Sequence, residues 1–138
     1  ICPDWSTPRS LSNSFSSSMA AGVAPAAYHW TVMQQISATE LNEHLKSAAP
    51  PPILLDVREP WEYERCHIEG SLHLPMAQVP LSLERLDPDS ETVVICHHGV
   101  RSFQVGMVLE AKGFHRVINL QGGIDAWARE VDPEMPTY

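Results

Sequence analysis

The chain has 138 residues, 43% of them hydrophobic, which is enough for one domain with a real core. Its formal net charge of −8 offers no electrostatic footprint for nucleic acid or an anionic bilayer, and no apolar stretch approaches the ~20 residues of a membrane span, so neither partner is expected. Cys2, Cys66 and Cys96 are odd in number, widely spaced and without a CxxC pair, which speaks against a disulfide framework and a structural zinc site and for a reducing, cytoplasmic setting.

Residues 1–32 differ in kind from the rest of the chain. "STPRSLSNSFSSS" is serine-rich without an apolar period, and "MAAGVAPAAYHWTV" is small and alanine-rich. Neither offers the apolar surface that would offset ordering entropy, so this stretch reads as a flexible leader outside the fold. It lacks the basic start and long apolar centre of a secretory signal, and Arg9 alone is thin for a transit peptide. Two origins stay open, an extension outside the native frame and a true leader. Patterned sequence opens at Met33, and one domain over residues 33–138 is predicted.

In "ISATELNEHLKSA", Ser37 and Glu40 have the capping-box spacing, and Leu41 and Leu45 form an i, i+4 stripe. A helix is predicted there, ending before Pro50, Pro51 and Pro52. "ILLDV" (53–57) is an apolar run too short for a helix and bounded by prolines and charges, as suits a strand buried on both faces. "SLHLP", "TVVICH" and "RVINL" repeat the pattern. Between the last two, "RSFQVGMVLEAKGF" reads as a helix with Val105, Val108 and Leu109 on one face and Gly113 at its C-terminal end. "GGIDAWARE" reads as a final helix opened by Gly122 and Gly123, with Trp127 in the core. Strands interleaved with helices imply an α/β fold, a central, mostly parallel sheet flanked by helices on both faces. In such sheets ligands bind beyond the carboxyl ends of the strands.

"TVVICHHGVRS" (92–102) places Cys96 at such an end, just before a helix starting near Arg101 or Ser102. Backbone N–H groups and a helix N-terminus there form an anion-holding bowl, and the same features favour a thiolate. Arg101 is the one permanent cation within the turn, able to steady both the thiolate and a substrate oxyanion. Cys96 is therefore the candidate nucleophile, against the plainer reading of an inert core thiol. A metal site from Cys96, His97 and His98 fits poorly, because adjacent residues rarely aim at one ion. His97 and His98 either line the pocket mouth and tune its charge or pack against the loop. Asp56 and Arg58 stand at the carboxyl end of their strand, near this loop. Asp56 is a candidate to hold the loop backbone or Arg101, and Arg58 to pair with Glu59 or Glu62; a structural ion pair is the favoured alternative.

"DVREPWEYERCHIEGSLHLP", "VVICHHGVRS" and "LQGGIDAW", in that order, resemble the rhodanese (thiosulfate sulfurtransferase-like) domain family in its single-domain form, from about Gln34 to Trp127. The resemblance implies a rhodanese-like α/β fold, Cys96 as the sulfur-carrying catalytic residue that becomes a persulfide, and a substrate-binding loop of His97, His98, Gly99, Val100, Arg101 and Ser102. It implies a small sulfur donor such as thiosulfate and a cyanide or thiol acceptor, glutathione or a thioredoxin-like protein among the cellular ones, with no metal or organic cofactor. Ser102 matches the family's hydroxyl position. Cys66 stands where the family usually has glycine, and is read as a semi-buried bystander rather than a second redox thiol.

Two rival functions remain. A persulfide carrier or binding module would use the same loop without turnover on small donors. The other rival is phosphatase or arsenate-reductase chemistry; cysteine-dependent phosphatases related to this fold carry five residues between cysteine and arginine, whereas only His97, His98, Gly99 and Val100 intervene here. The smaller bowl suits one sulfur atom better than a phosphoryl group and its oxygens.

Overall fold

In the computed structural model, which describes residues 33–138, five strands form one sheet: β1 (Gln34–Ile36), β2 (Ile53–Asp56), β3 (Leu72–His73), β4 (Thr92–Ile95) and β5 (Val117–Leu120). Their order is β1-β5-β4-β2-β3, and every neighbouring pair is parallel. The leader expected over residues 1–32 lies outside the described residues. All of β4 and β5 is buried, which is why those strands read as unbroken apolar runs rather than alternating ones.

Helices cover both faces. By the two-residue period of strands, Leu54, Val93, Ile95, Ile118 and Leu120 point to one side. There they share a core with Leu41 of α1 (Ala38–Ser47) and with Ile124 and Trp127 of α4 (Gly123–Glu130). Leu55, Val94 and Val117 point to the other side, where α3 (Val100–Ala111) brings the buried Val105 and Leu109. Each such fully buried side chain contributes roughly 1.5–3 kcal/mol.

The predicted capping box is present: Ser37 Oγ accepts from Glu40 N at 3.1 Å and Ser37 N donates to Glu40 Oε1 at 2.9 Å. Val108 departs from its predicted face, being 39% exposed. At about 100° per residue it lies on the far side of Val105 from Leu109, so the buried stripe runs through Ser102, Val105, Gly106 and Leu109 instead. The short helix α2 (Pro60–Arg65) and the 3-10 turns Met76–Leu81 and Leu83–Arg85 were not legible as elements. Among the described residues no helix is long and apolar enough to cross a membrane.

Candidate active site

The carboxyl ends of β2, β4 and β5 meet at the loop that succeeds β4. Cys96 is the first residue beyond that strand and is 1% exposed. The loop rests on the N-terminus of α4: Ile124 N donates to Cys96 O at 2.8 Å and Asp125 N to His97 O at 3.1 Å. Gly123 makes this seat possible, since a Cβ there would lie 2.3 Å from His97 O and 2.4 Å from Cys96 O. With those carbonyls turned toward α4, the loop can offer N–H groups to its interior, and Gly99 N donates to Cys96 Sγ at 3.1 Å. Gly99, at φ 104°, then begins α3 as its N-cap. Two helix N-termini thus frame the loop, one beneath it and one closing it, and the N–H group of Gly99 is the one directed at the sulfur among the described residues.

Ser102 is fully buried beside the sulfur, with Oγ 3.3 Å from Cys96 Sγ. It donates to Asn119 Oδ1. Asn119, 2% exposed at the centre of β5, gives its amide hydrogens to Gly99 O at 3.2 Å and Gln35 Oε1 at 2.9 Å. Asn119 is not among the candidate residues that the sequence offers. Its one signal was a polar residue inside the apolar run "RVINL".

Arg101 does not point its charge freely into the bowl. Its guanidinium grips Glu62 with both arms, Nη1 to Oε1 at 2.8 Å and Nη2 to Oε2 at 2.9 Å. That bond holds Arg101 above the usual arginine range; burial opposes the rise, and the Glu62 charge adds to it. Burial pushes the Glu62 carboxyl up, but Arg101, the Glu59 N–H and the Tyr138 hydroxyl outweigh it and bring it down to about 2. Neither Glu62 nor Tyr138 was singled out as a site residue in the sequence. Tyr138 donates to Glu62 Oε2 at 2.9 Å and accepts from Arg58 Nη1 at 2.9 Å, while its ring stacks on His97 at 4.1 Å.

Asp56 does not hold the loop or Arg101. Both its oxygens serve Arg58, whose Nη2 lies 2.7 Å from Oδ2 and whose Nε lies 2.9 Å from Oδ1, and both side chains are fully buried. Arg58 likewise does not pair with the carboxylate of Glu59 or Glu62; it reaches Glu62 only at the main-chain oxygen, at 3.2 Å. A two-residue separation at a strand end lets the pair close locally before any distant partner can compete. This is the structural ion pair favoured in the sequence; it reaches Glu62, and through it Arg101, by way of Tyr138 and of the Glu62 main-chain oxygen.

His97 is half-buried and stacks on His98, with ring centroids 4.0 Å apart. Burial and the neighbouring His98 lower its basicity. His97, His98 and Asp125 each bring a ligand atom within 4.8 Å of the others. The two rings are tilted by only 24°, so one ion could not lie in both ring planes without one ring turning. Val100 is 67% exposed at the start of α3. Cys66 is buried in the apolar core, and its carbonyl accepts from Arg58 Nη2 at 2.6 Å.

A parallel α/β sheet with a cysteine loop set between two helix N-termini defines an α/β domain that carries a buried cysteine at the carboxyl end of a central strand. The chain belongs to the rhodanese-like domain family, whose model matches residues 37–130. Over 106 residues it is 39% identical to Rhodanese-like/PpiC domain-containing protein 12, chloroplastic, of Arabidopsis thaliana, a match covering 70% of this chain and 36% of that protein. Over 98 residues it is 35% identical to a protein of Allochromatium vinosum named Sulfurtransferase, covering 71% of this chain and 91% of that one. The crystal structure of a rhodanese-like domain protein from Staphylococcus aureus superposes with a TM-score of 0.65 at 31% identity, covering 77% of this chain and 99% of that one. The fold is rhodanese-like.

Proposed function

We propose that this chain is a sulfurtransferase that moves a sulfane sulfur from a small donor such as thiosulfate to a thiophilic acceptor through a persulfide on Cys96. The observation that carries the reading is the bowl itself: Cys96 Sγ sits at its floor, with Gly99 N–H directed at it. The Cys96 thiolate attacks the outer sulfur of thiosulfate. A new S–S bond forms, the old one breaks, and sulfite leaves with the electron pair, so the negative charge ends on the outer sulfur of the persulfide. Cyanide, glutathione or a thioredoxin-like thiol then takes that sulfur and restores the Cys96 thiolate. Two half-reactions through a covalent intermediate give ping-pong kinetics. These steps call on no metal or organic cofactor.

Arg101, tied to Glu62 at the rim, adds a cation that an anionic donor meets on entry. Four residues between Cys96 and Arg101, and a cysteine only 1% exposed, support a one-sulfur cargo over a phosphoryl group. Incubation with thiosulfate should add one sulfur, about 32 Da, to Cys96 by intact and peptide mass spectrometry, reversibly with cyanide. Cys96→Ser should abolish both adduct and turnover while the fold persists. Turnover by that variant, or an adduct on Cys66, would sink the assignment. An adduct on Cys96 without turnover on small donors would mark the chain as a persulfide carrier.

A further inference from the structure

Ser102 touches the proposed sulfur carrier, and a hydroxyl in that place would ordinarily be taken to donate to the thiolate. The buried network points the other way. Asn119 has one acceptor and one donor end, and Gly99 O, a main-chain carbonyl that can only accept, lies 3.2 Å from the Nδ2 end. Turning the amide over would set its oxygen against that carbonyl and against Gln35 Oε1. The Oδ1 end must therefore face Ser102 Oγ, and being an acceptor it takes the single hydroxyl proton of Ser102. What Ser102 presents to Cys96 Sγ at 3.3 Å is a lone pair, which accepts from the S–H of the thiol.

We propose that Asn119 is a positioning residue that fixes Ser102 as an acceptor and so disfavours charge on Cys96 Sγ until that charge has moved outward onto a persulfide. The proposal rests on Cys96 being the sulfur-carrying residue. Once Cys96 loses its proton, its sulfur faces a lone pair. If the hydroxyl instead rotates to donate to sulfur, Asn119 Oδ1 is left unpaired at a site 2% exposed to solvent. Either way one hydrogen bond is lost on ionisation, against the pull of Gly99 N–H and of the Arg101 guanidinium, whose charge the paired Glu62 carboxylate offsets. Attack on the donor ends the conflict: Sγ becomes a neutral, divalent sulfur, and the negative charge resides one atom further from Ser102. The network thus tilts the first half-reaction toward product, and a less stabilised thiolate is also the stronger nucleophile.

The test is the pH dependence of iodoacetamide alkylation at Cys96, mapped by peptide mass spectrometry, in the wild type, Ser102→Ala, Asn119→Leu and the double variant. Freed from Asn119, Ser102 can donate to the sulfur, so Asn119→Leu should lower the midpoint by about one pH unit, the worth of one hydrogen bond. Ser102→Ala should leave the midpoint unchanged or lower it, and in that background Asn119→Leu should have no further effect. The sulfite concentration that half-reverses thiosulfate loading should fall several-fold in Asn119→Leu. A rise of the midpoint in Ser102→Ala overturns the proposal, and so does an Asn119→Leu shift that is absent or persists without Ser102; an unchanged sulfite midpoint overturns its second half. Should Asn119→Leu not fold, the direction seen in Ser102→Ala decides. Alkylation needs no sulfur transfer, so failure of wild-type Cys96 to load from thiosulfate would refute the proposed function while these midpoints stood.

Discussion

Replacing Glu62 with glutamine keeps the side chain's shape and removes its charge. Its carboxylate is 5% exposed and collects four donors, two from Arg101 and one each from Glu59 N and Tyr138. Glutamine can accept at one end only and turns its amide hydrogens toward donors that already fill the site. The interval between the ordinary 4.5 and about 2 for this carboxyl corresponds to about 3 kcal/mol of folding stability. Arg101 is 33% exposed, so solvent screening trims this, and Glu62→Gln should cost about 2–3 kcal/mol at pH 7. The sign is that of a depressed carboxylate: the stability is fully present above its unfolded value and is lost as pH falls toward about 2. Urea unfolding of both proteins, monitored by tryptophan fluorescence from pH 7 to pH 2.5, should show the gap narrowing below about pH 5. A gap that stays constant over that range would refute the assignment of this energy to the Glu62 charge.

Arg101→Ala should lower kcat/KM for thiosulfate about ten- to hundredfold, the worth of one charge-assisted hydrogen bond, and should also destabilise the fold by leaving the Glu62 carboxylate short of two donors. Unchanged kcat/KM would mean that Arg101 stays on Glu62 throughout turnover. Gly123→Ala places a methyl against the main-chain oxygens of Cys96 and His97 at a φ of 61°, so a loss of about 2–4 kcal/mol in chemical unfolding and a collapse of turnover are expected. Wild-type stability in that variant would show that the loop can leave α4 without harm.

The parts legible in the sequence are those whose cause is local. Ser37 and Glu40 announce α1 because the capping box closes within one turn, and the apolar runs of β2, β4 and β5 announce strands because both faces of the sheet are covered. The cysteine loop was legible for the same reason, since a strand end, Gly99 and a helix start fall within a few residues. What failed depended on distance along the chain. Arg101 finds Glu62 39 residues away, and Tyr138 finds Glu62 across 76. No spacing rule encodes such pairs, so Arg101 reads in the sequence as a free cation and Asp56 as a candidate partner. The helix α2, at six residues, is too short to show a period, whereas β3, though only two residues long, falls within "SLHLP", which reads as a strand.

The seating of the loop on α4 also bears on how readily this site could change its chemistry. Main-chain anchors hold Cys96 and His97 from below, and Gly99 is pinned on both sides, by the sulfur at its N–H and by Asn119 at its carbonyl. His98, exposed at the rim, stands between these fixed points. A one-residue insertion that lengthened the gap to Arg101 would bulge most readily there or beside Val100, 67% exposed, raising the rim while leaving the floor and its sulfur in place. Between Cys96 and Arg101 only His98 and the exposed Val100 are without such anchors, so room for a larger cargo could be gained beside those two residues alone, while an insertion at Cys96, His97 or Gly99 would first undo the seat on α4.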